Sequence, residues 1–342
     1  MSASLVDLAH DVADTVLFPT AVDVDRTGAI PPSHWQALAE AGLYGIAAPA
    51  AAGGPGLELT DFTEILETVA SGCLATAFTW VQHHGALASI AASANTALRD
   101  ELVPGLAAGR VRAGVAYAGA VPVPPRMRAE RAEGGWRLSG HAPFVSGWGV
   151  IDVLVVSAAE IDTGDIVAAV VPAVTAPGIA SVTAQDLFVA DATRTVSVDV
   201  DGLFVRDDRV VGRVTRAEFM ANQNFGSRCN GTLPLGVVRR CAALLEDAGR
   251  GGEADAIRTD ADAVRRRLDA GLADSRRLLE ARAEGAELAL RAAATLVASE
   301  GGPAILRSSP AQLLARYAMF TLVAASRPEL KNSLAQRFSH HH

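Results

Sequence analysis

Lysine is nearly missing from this 342-residue chain: Lys331 stands alone, and the other basic residues are arginine. With the abundant alanine, that bias reads as coding composition rather than function. Cysteine is scarce too. Cys73, Cys229 and Cys241 are scattered without metal-ligand spacing, which excludes a disulfide framework or a zinc site and suits a reducing cytoplasm. No run of about 18 apolar residues free of charge occurs, so no membrane-spanning segment is expected. The opening MSASLVDLAHDVADTV carries acids where a secretory leader needs basic residues, and it reads as an amphipathic helix. Positive charge is in deficit: a formal net charge of −8 argues against a nucleic-acid partner. The chain also lacks a P-loop, an H-E-x-x-H pair and a G-x-S-x-G elbow. Gly249 to Ala254 spells a dinucleotide fingerprint, but a helix precedes it where a strand is required, so it reads as a loop between helices.

What is present divides by period. Up to about Arg110 the pattern is helical: IPPSHWQALAEAGL with Gly42 at its end, DFTEILETVAS capped by Thr60 or Asp61, and the weakly polar CLATAFTWVQHHGALASIAAS, expected to be a buried helix. From about Val111 to Val205 the period becomes two. GVAYAG, WRLSG, DVLVVSA, DIVAAVVP and RTVSVDVDGLFV read as strands. Beyond Arg213 helices return: NGTLPLGVVRRCAALLEDAG, one long helix from Glu253 to Ser299, and a last pair from Ser309 to Phe338. The resulting expectation is an α+β chain with an N-terminal helical domain (1–110), a middle β-barrel-like or sandwich domain (111–207) and a C-terminal helical bundle (208–339). The closing His340 to His342 read as a purification-tag remnant.

The most informative stretch is GGWRLSGHAPFVSGWGVIDVLVVSA, Gly134 to Ala158. Alternate residues of a strand share a face. Phe144 and Ser146 would therefore look the same way, offering a flat ring and a short hydroxyl to a planar heteroaromatic group. Core packing followed by a turn is the plainer alternative.

This stretch resembles the middle-domain strand signature of the acyl-CoA dehydrogenase family. ALAEAGLYGIAAPAAAGGPGLELTDFTEILETVASGCLATAF, LRDELVPGLAAGRV and SEGGPAILRSSPAQLLARYAMF resemble that family's other passages, in the right order. The resemblance implies FAD, with Tyr117, Ala118 and Gly119 at the pyrimidine edge and Phe144, Val145 and Ser146 against the ring. It also implies that Gly301 and Gly302 approach the adenosine half of a neighbour's FAD, unless they simply separate two helices. It further implies an acyl-CoA or acyl-carrier thioester as substrate, an electron-transfer flavoprotein as acceptor, and a homodimer or a hetero-oligomer with a homologous subunit.

Three departures stand out. AVPVPPR replaces the usual pyrophosphate loop after Gly119. RGGEADAIRTD stands where an arginine normally reaches the partner's FAD, leaving Arg250 or Arg258 as substitutes. LVAASRPEL and FGSRCNGTLPLG stand where the family carries its catalytic glutamate; the usual Glu-Gly-Thr is missing from the first, and the second has no acid. His83 and His84 are the candidate base or ligand groups, with core packing as the alternative; Glu300 and Glu329 are further candidates. Arg265 to Arg267 with Arg276 and Arg277 could meet a phosphate, but interleaved aspartates point instead to a solvated, ion-paired helix face. No metal is expected. The expected function is α,β-oxidation of an acyl thioester with hydride transfer to flavin. The alternatives are a flavin-dependent monooxygenase on the same fold and a catalytically degenerate structural subunit.

Overall fold

A computed structural model describes residues 4–339; the expected tag residues lie outside them. The chain opens with a capping box between Ser4 and Asp7, which satisfies the first free amides of α1 (Leu5–Val12). The rod passes through one π-helical stretch, Ala13–Leu17, into α2 (Phe18–Thr27), and Gly28 at φ 63° ends it. Pro31 and Pro32 start α3 (Pro32–Glu40), and Gly42 at φ 71° turns the chain behind it. Then come α4 (Leu59–Gly72), α5 (Leu74–Ala91) and α6 (Thr96–Ala107), capped by Asn95. The cap expected at Thr60 or Asp61 lies inside α4: the helix starts earlier, after the extended Glu58, with no side-chain cap. As the weak polarity implied, α5 is buried on nearly every side.

Eight strands make one sheet in the order β6-β7-β3-β2-β4-β5-β8, with β1 added in parallel beside β4. They are β1 (Ala113–Ala116), β2 (Met127–Ala132), β3 (Gly135–Val145), β4 (Val153–Glu160), β5 (Ile166–Pro172), β6 (Ile179–Ala184), β7 (Val196–Arg206) and β8 (Val210–Val214). The sheet closes over its own core: Leu154, Val156 and Ala158 of β4 pack in one cluster with Trp136 and Leu138 of β3 and Val198 and Val200 of β7. The opposite face of β4 and β5, through Val155 and Val170, packs on Ala86, Leu87 and Ile90 of α5 and Leu102 and Val103 of α6. Burial on both faces is why these two strands are continuously apolar. The sheet runs to Val214, beyond the expected limit at 207.

The first bundle helix starts well before Asn230, where the apolar pattern placed it, though after the expected boundary at 208. α7 (Arg216–Asp247) opens on a Thr215–Glu218 capping box. The single long helix expected next is two, α8 (Gly251–Ala270) and α9 (Ser275–Glu300). Gly271 permits the break, since a Cβ there would fall 2.7 Å from the Leu278 backbone, and Asp274 caps α9. A short 3₁₀ turn, Gly302–Ile305, leads to α10 (Pro310–Val323), and α11 (Pro328–Ser339) closes the described chain. One continuous core joins α1 to α5 with α7 to α10, so the two helical regions pack as a unit against the sheet. The cysteines are free and buried. Burial pushes the Cys229 and Cys241 thiols up to about 12, which leaves them unreactive. Among the described residues, no helix is long and apolar enough to cross a membrane, and no group of His, Cys, Asp or Glu could hold a metal ion.

Candidate functional site

Phe144 and Ser146 do not share a face. β3 and β7 lose register between Ala142 and Val145, and Phe144 takes φ 53°, a left-handed conformation costly for a bulky residue. The bulge breaks the strand alternation. It turns the Phe144 ring outward, 69% exposed, while Ser146 is 5% exposed. Val145 between them is fully buried and pairs with Val196. The Ser146 hydroxyl meets Thr195 Oγ1 at 2.8 Å, and Thr195 meets Thr193 Oγ1 at 2.8 Å, a buried chain of three hydroxyls. That chain was invisible in the sequence because two of its members lie about fifty residues from the third.

Tyr117, Ala118 and Gly119 follow β1. The Tyr117 hydroxyl donates to the Gly85 carbonyl on α5 at 3.4 Å, and its ring packs edge-on to Phe219 of α7. The Gly119 carbonyl accepts the amides of Arg126 and Met127 at 2.8 and 2.9 Å. A side chain at 119 would fall 2.4 Å from Met127 Cγ, so glycine is required by the close approach of β2. Gly301, at φ 70°, and Gly302 are exposed with open space around them, and Ile305 and Leu306 beyond them are exposed at 80% and 58%.

His83 and His84 sit side by side on α5 but are employed differently. His83 Nδ1 accepts the Ala113 amide at 3.1 Å, so its other nitrogen carries the proton. Its ring stands edge-on to Tyr44, with centroids 4.9 Å apart. Burial lowers its pKa to about 4, against a weaker upward pull from the backbone of Tyr44 and Leu106. Both nitrogens of His84 are buried without a partner, as are His83 Nε2 and the Trp80 indole nitrogen. Burial, then the neighbouring His83, holds His84 well below the ordinary histidine range. Trp80 and Phe62 pack edge-on to His84 with centroids at 4.3 and 6.0 Å, and Phe62 packs on the part-exposed Phe225 of α7. His84 is thus a neutral imidazole in an aromatic box, two rings from solvent.

The remaining candidates are engaged locally. Glu300 accepts from Ser309 Oγ at 3.0 and 3.1 Å, and Glu329 is exposed. Arg250 pairs with Glu253, and Arg258 with Glu246 and Asp255. Arg265, Arg267, Arg276 and Arg277 pair with acids of this chain, as the interleaved charges implied. The one buried carboxylate among the described residues is Glu67, bound at 2.7 and 2.8 Å by Arg265 and flanked by Arg239. Sequence reasoning passed over Glu67, since a glutamate on an amphipathic helix gives no sign that it faces inward.

Comparison with known proteins agrees with this architecture. The profile of the acyl-CoA dehydrogenase N-terminal domain matches residues 2–110. The chain is 30% identical over 269 residues to an L-evernosamine nitrososynthase from a Micromonospora species, a match covering 73% of this chain and 62% of that protein. The chain therefore spans under two thirds of the length of this curated relative. A glutaryl-CoA dehydrogenase from Mycobacterium smegmatis in complex with FADH2 superposes with a TM-score of 0.83 at 16% identity, covering 98% of this chain and 93% of that one. A nitrososynthase from Micromonospora carbonacea var. africana does so with a TM-score of 0.76 at 24% identity, covering 98% and 95%. The N-terminal third of the chain thus matches the acyl-CoA dehydrogenase N-terminal domain, and the whole chain has the helix–sheet–helix fold of that family's solved structures.

Proposed function

We propose that the chain is an FAD-dependent monooxygenase acting on an amine or an electron-rich ring, rather than a dehydrogenase of acyl thioesters. One observation supports the choice above the others: among the described residues the one buried carboxylate is already engaged. Glu67 is held by Arg265, and the turn after α10, where the family resemblance implies the dehydrogenase glutamate, reads Ala324-Ala325-Ser326-Arg327. Dehydrogenation needs a base within reach of the α-proton as hydride leaves the neighbouring carbon. His83 has already spent its lone pair on Ala113, and burial makes His84 a poor base. A neutral imidazole in an aromatic box suits a different task, that of orienting a substrate by hydrogen bonds and keeping water away. The nitrososynthase relatives favour the same reading.

The residues fit a flavin in part. The Phe144 ring is open to a planar partner, and the backbone of Gly301 and Gly302 is bare enough for the adenosine half of a neighbouring subunit's cofactor. Ser146 would serve only by turning away from Thr195. When bound, FAD supplies the electron and oxygen chemistry. Phe144 would support its ring, and His84, with Trp80 and Phe62, would hold and shield the substrate.

The dehydrogenase reading retains the support of the N-terminal profile. It would require an acyl-CoA or acyl-carrier thioester, an electron-transfer flavoprotein and a base from a partner subunit. Titrating the purified protein with FAD and following the flavin absorbance tests cofactor binding. Oxygen consumption with reduced flavin and a panel of amines and phenols then tests the monooxygenase. Anaerobic bleaching of bound flavin by acyl-CoA, without oxygen uptake on amines or phenols, would reverse the choice.

A further inference from the structure

Two arginines of the described chain are buried, Arg228 at 1% and Arg282 at 4% exposed, and their surroundings differ sharply. Arg228 donates to Asp269 through Nε at 2.8 Å and Nη2 at 2.7 Å, and to Thr232 Oγ1 at 2.5 Å. Arg282, in the third turn of α9, has no carboxylate within ion-pair distance among the described residues. Its single hydrogen bond runs from Nη2 to the Ala324 carbonyl at 3.3 Å. A buried cation without a counter-charge is costly, and proteins normally pair it.

The elements around Arg282 do not supply that counter-charge. From α7, Gly231 comes so near that a Cβ would lie 2.9 Å from Arg282 Cγ, and its neighbour Asn230 has a buried Oδ1 with no partner. From the turn after α10 come Ala325, held at φ 47°, Ser326, whose hydroxyl is buried without a partner, and Arg327. Arg327 adds positive charge, opposed by the exposed Glu329. Burial, with Arg327 contributing, pushes the Arg282 guanidinium down to about 10, still charged at neutral pH. The buried Arg282 guanidinium therefore meets, through Ala324, the turn that carries Arg327, whose charge it feels, and Ser326, whose hydroxyl is buried without a partner.

We propose that Arg282, Arg327 and Ser326 form a binding site for an oxyanion, the carboxylate or phosphate group of a small ligand. A guanidinium presents a fork of N–H donors matched to such groups, and a serine hydroxyl adds a further donor. The site is built from the bundle's own side chains and does not depend on the flavin reading.

The test is thermal unfolding of the flavin-free chain in chloride, acetate and inorganic phosphate at equal ionic strength, with isothermal titration of the same anions. Wild type should gain several degrees in Tm in acetate, in phosphate, or in both, and the better anion identifies the group the site prefers. Arg282→Met should lose that gain, and Arg327→Gln should weaken binding about tenfold or more. Arg276→Gln, an exposed control, should keep it. If Arg282→Met does not fold, Arg327→Gln and Ser326→Ala decide the question by titration. Equal Tm in all three salts, or an anion effect unchanged in Arg282→Met or in the Arg327 and Ser326 variants, would overturn the site.

Discussion

His83 Nδ1 accepts the amide proton of Ala113 at 3.1 Å and so pins the first residue of β1 to the middle of α5. Ala113 is fully buried, and its N–H has no water to turn to if the imidazole is removed. His83→Ala should therefore cost about 1–3 kcal/mol, the usual penalty for stranding a buried donor, with further loss from the cavity. Urea unfolding of the flavin-free protein measures it. A change below about 0.5 kcal/mol would mean that the bond does not anchor the strand.

The same burial makes stability fall in acid. His34 bridges Thr20 and Thr76 at 2.7 and 2.8 Å, and burial lowers the pKa of His34 and of His83 to about 4 from an ordinary 6.5. Unfolded, each takes a proton as pH drops through 6.5, whereas the folded form resists until about 4. Their contribution is thus fully present above pH 6.5 and lost as pH falls to 4, up to about 3 kcal/mol for a fully buried group. His34→Gln and His83→Asn should flatten the dependence of Tm on pH across that window relative to wild type. Parallel curves would assign the acid sensitivity to other groups.

Much of this was legible in the chain, for identifiable reasons. The change from helical to alternating period near Val111 and back after Val205 marked the three regions, and the apolar run around His83 and His84 marked a helix without a solvent face. MRAERA escaped notice as β2 because arginine and glutamate on its outer face mask the small buried residues between them. The α8–α9 break escaped because Gly271 sits in a stretch whose helix-favouring residues continue on both sides. Strand alternation could not foresee the bulge at Phe144, which depends on how β7 pairs with β3. Arg282 looked like any other arginine on a long helix. Its burial follows from the approach of α7 at Gly231, a tertiary fact with no local signature.

Phe144 gives a test that separates binding from folding. Its ring is 69% exposed and its backbone sits at φ 53°, so it contributes little packing and pays for a conformation glycine adopts freely. Phe144→Gly should leave Tm unchanged or raise it slightly, while FAD affinity, read from the flavin absorbance titration, should fall about tenfold or more. Unchanged affinity would show that the cofactor lies elsewhere.

Arg228 and Asp269 allow the cost of a lone buried cation to be measured directly. The pair joins α7 to α8, with the arginine side chain 2% exposed and the aspartate 41%. Asp269→Ala leaves the guanidinium buried with Thr232 as its one remaining side-chain partner, and should destabilise by about 3 kcal/mol or more. Arg228→Met removes the charge and keeps most of the volume, while its former partner Asp269 can turn to water, so it should cost clearly less. Replacing both should be little worse than Arg228→Met alone, giving a coupling of at least about 1 kcal/mol in a double-mutant cycle. Additive losses would mean the ion pair is incidental to the packing of α7 on α8. The cycle bears on Arg282 as well. A large penalty at Asp269→Ala shows that this bundle does not tolerate an unpaired buried guanidinium cheaply, which is the condition that makes an anion at Arg282 worth binding.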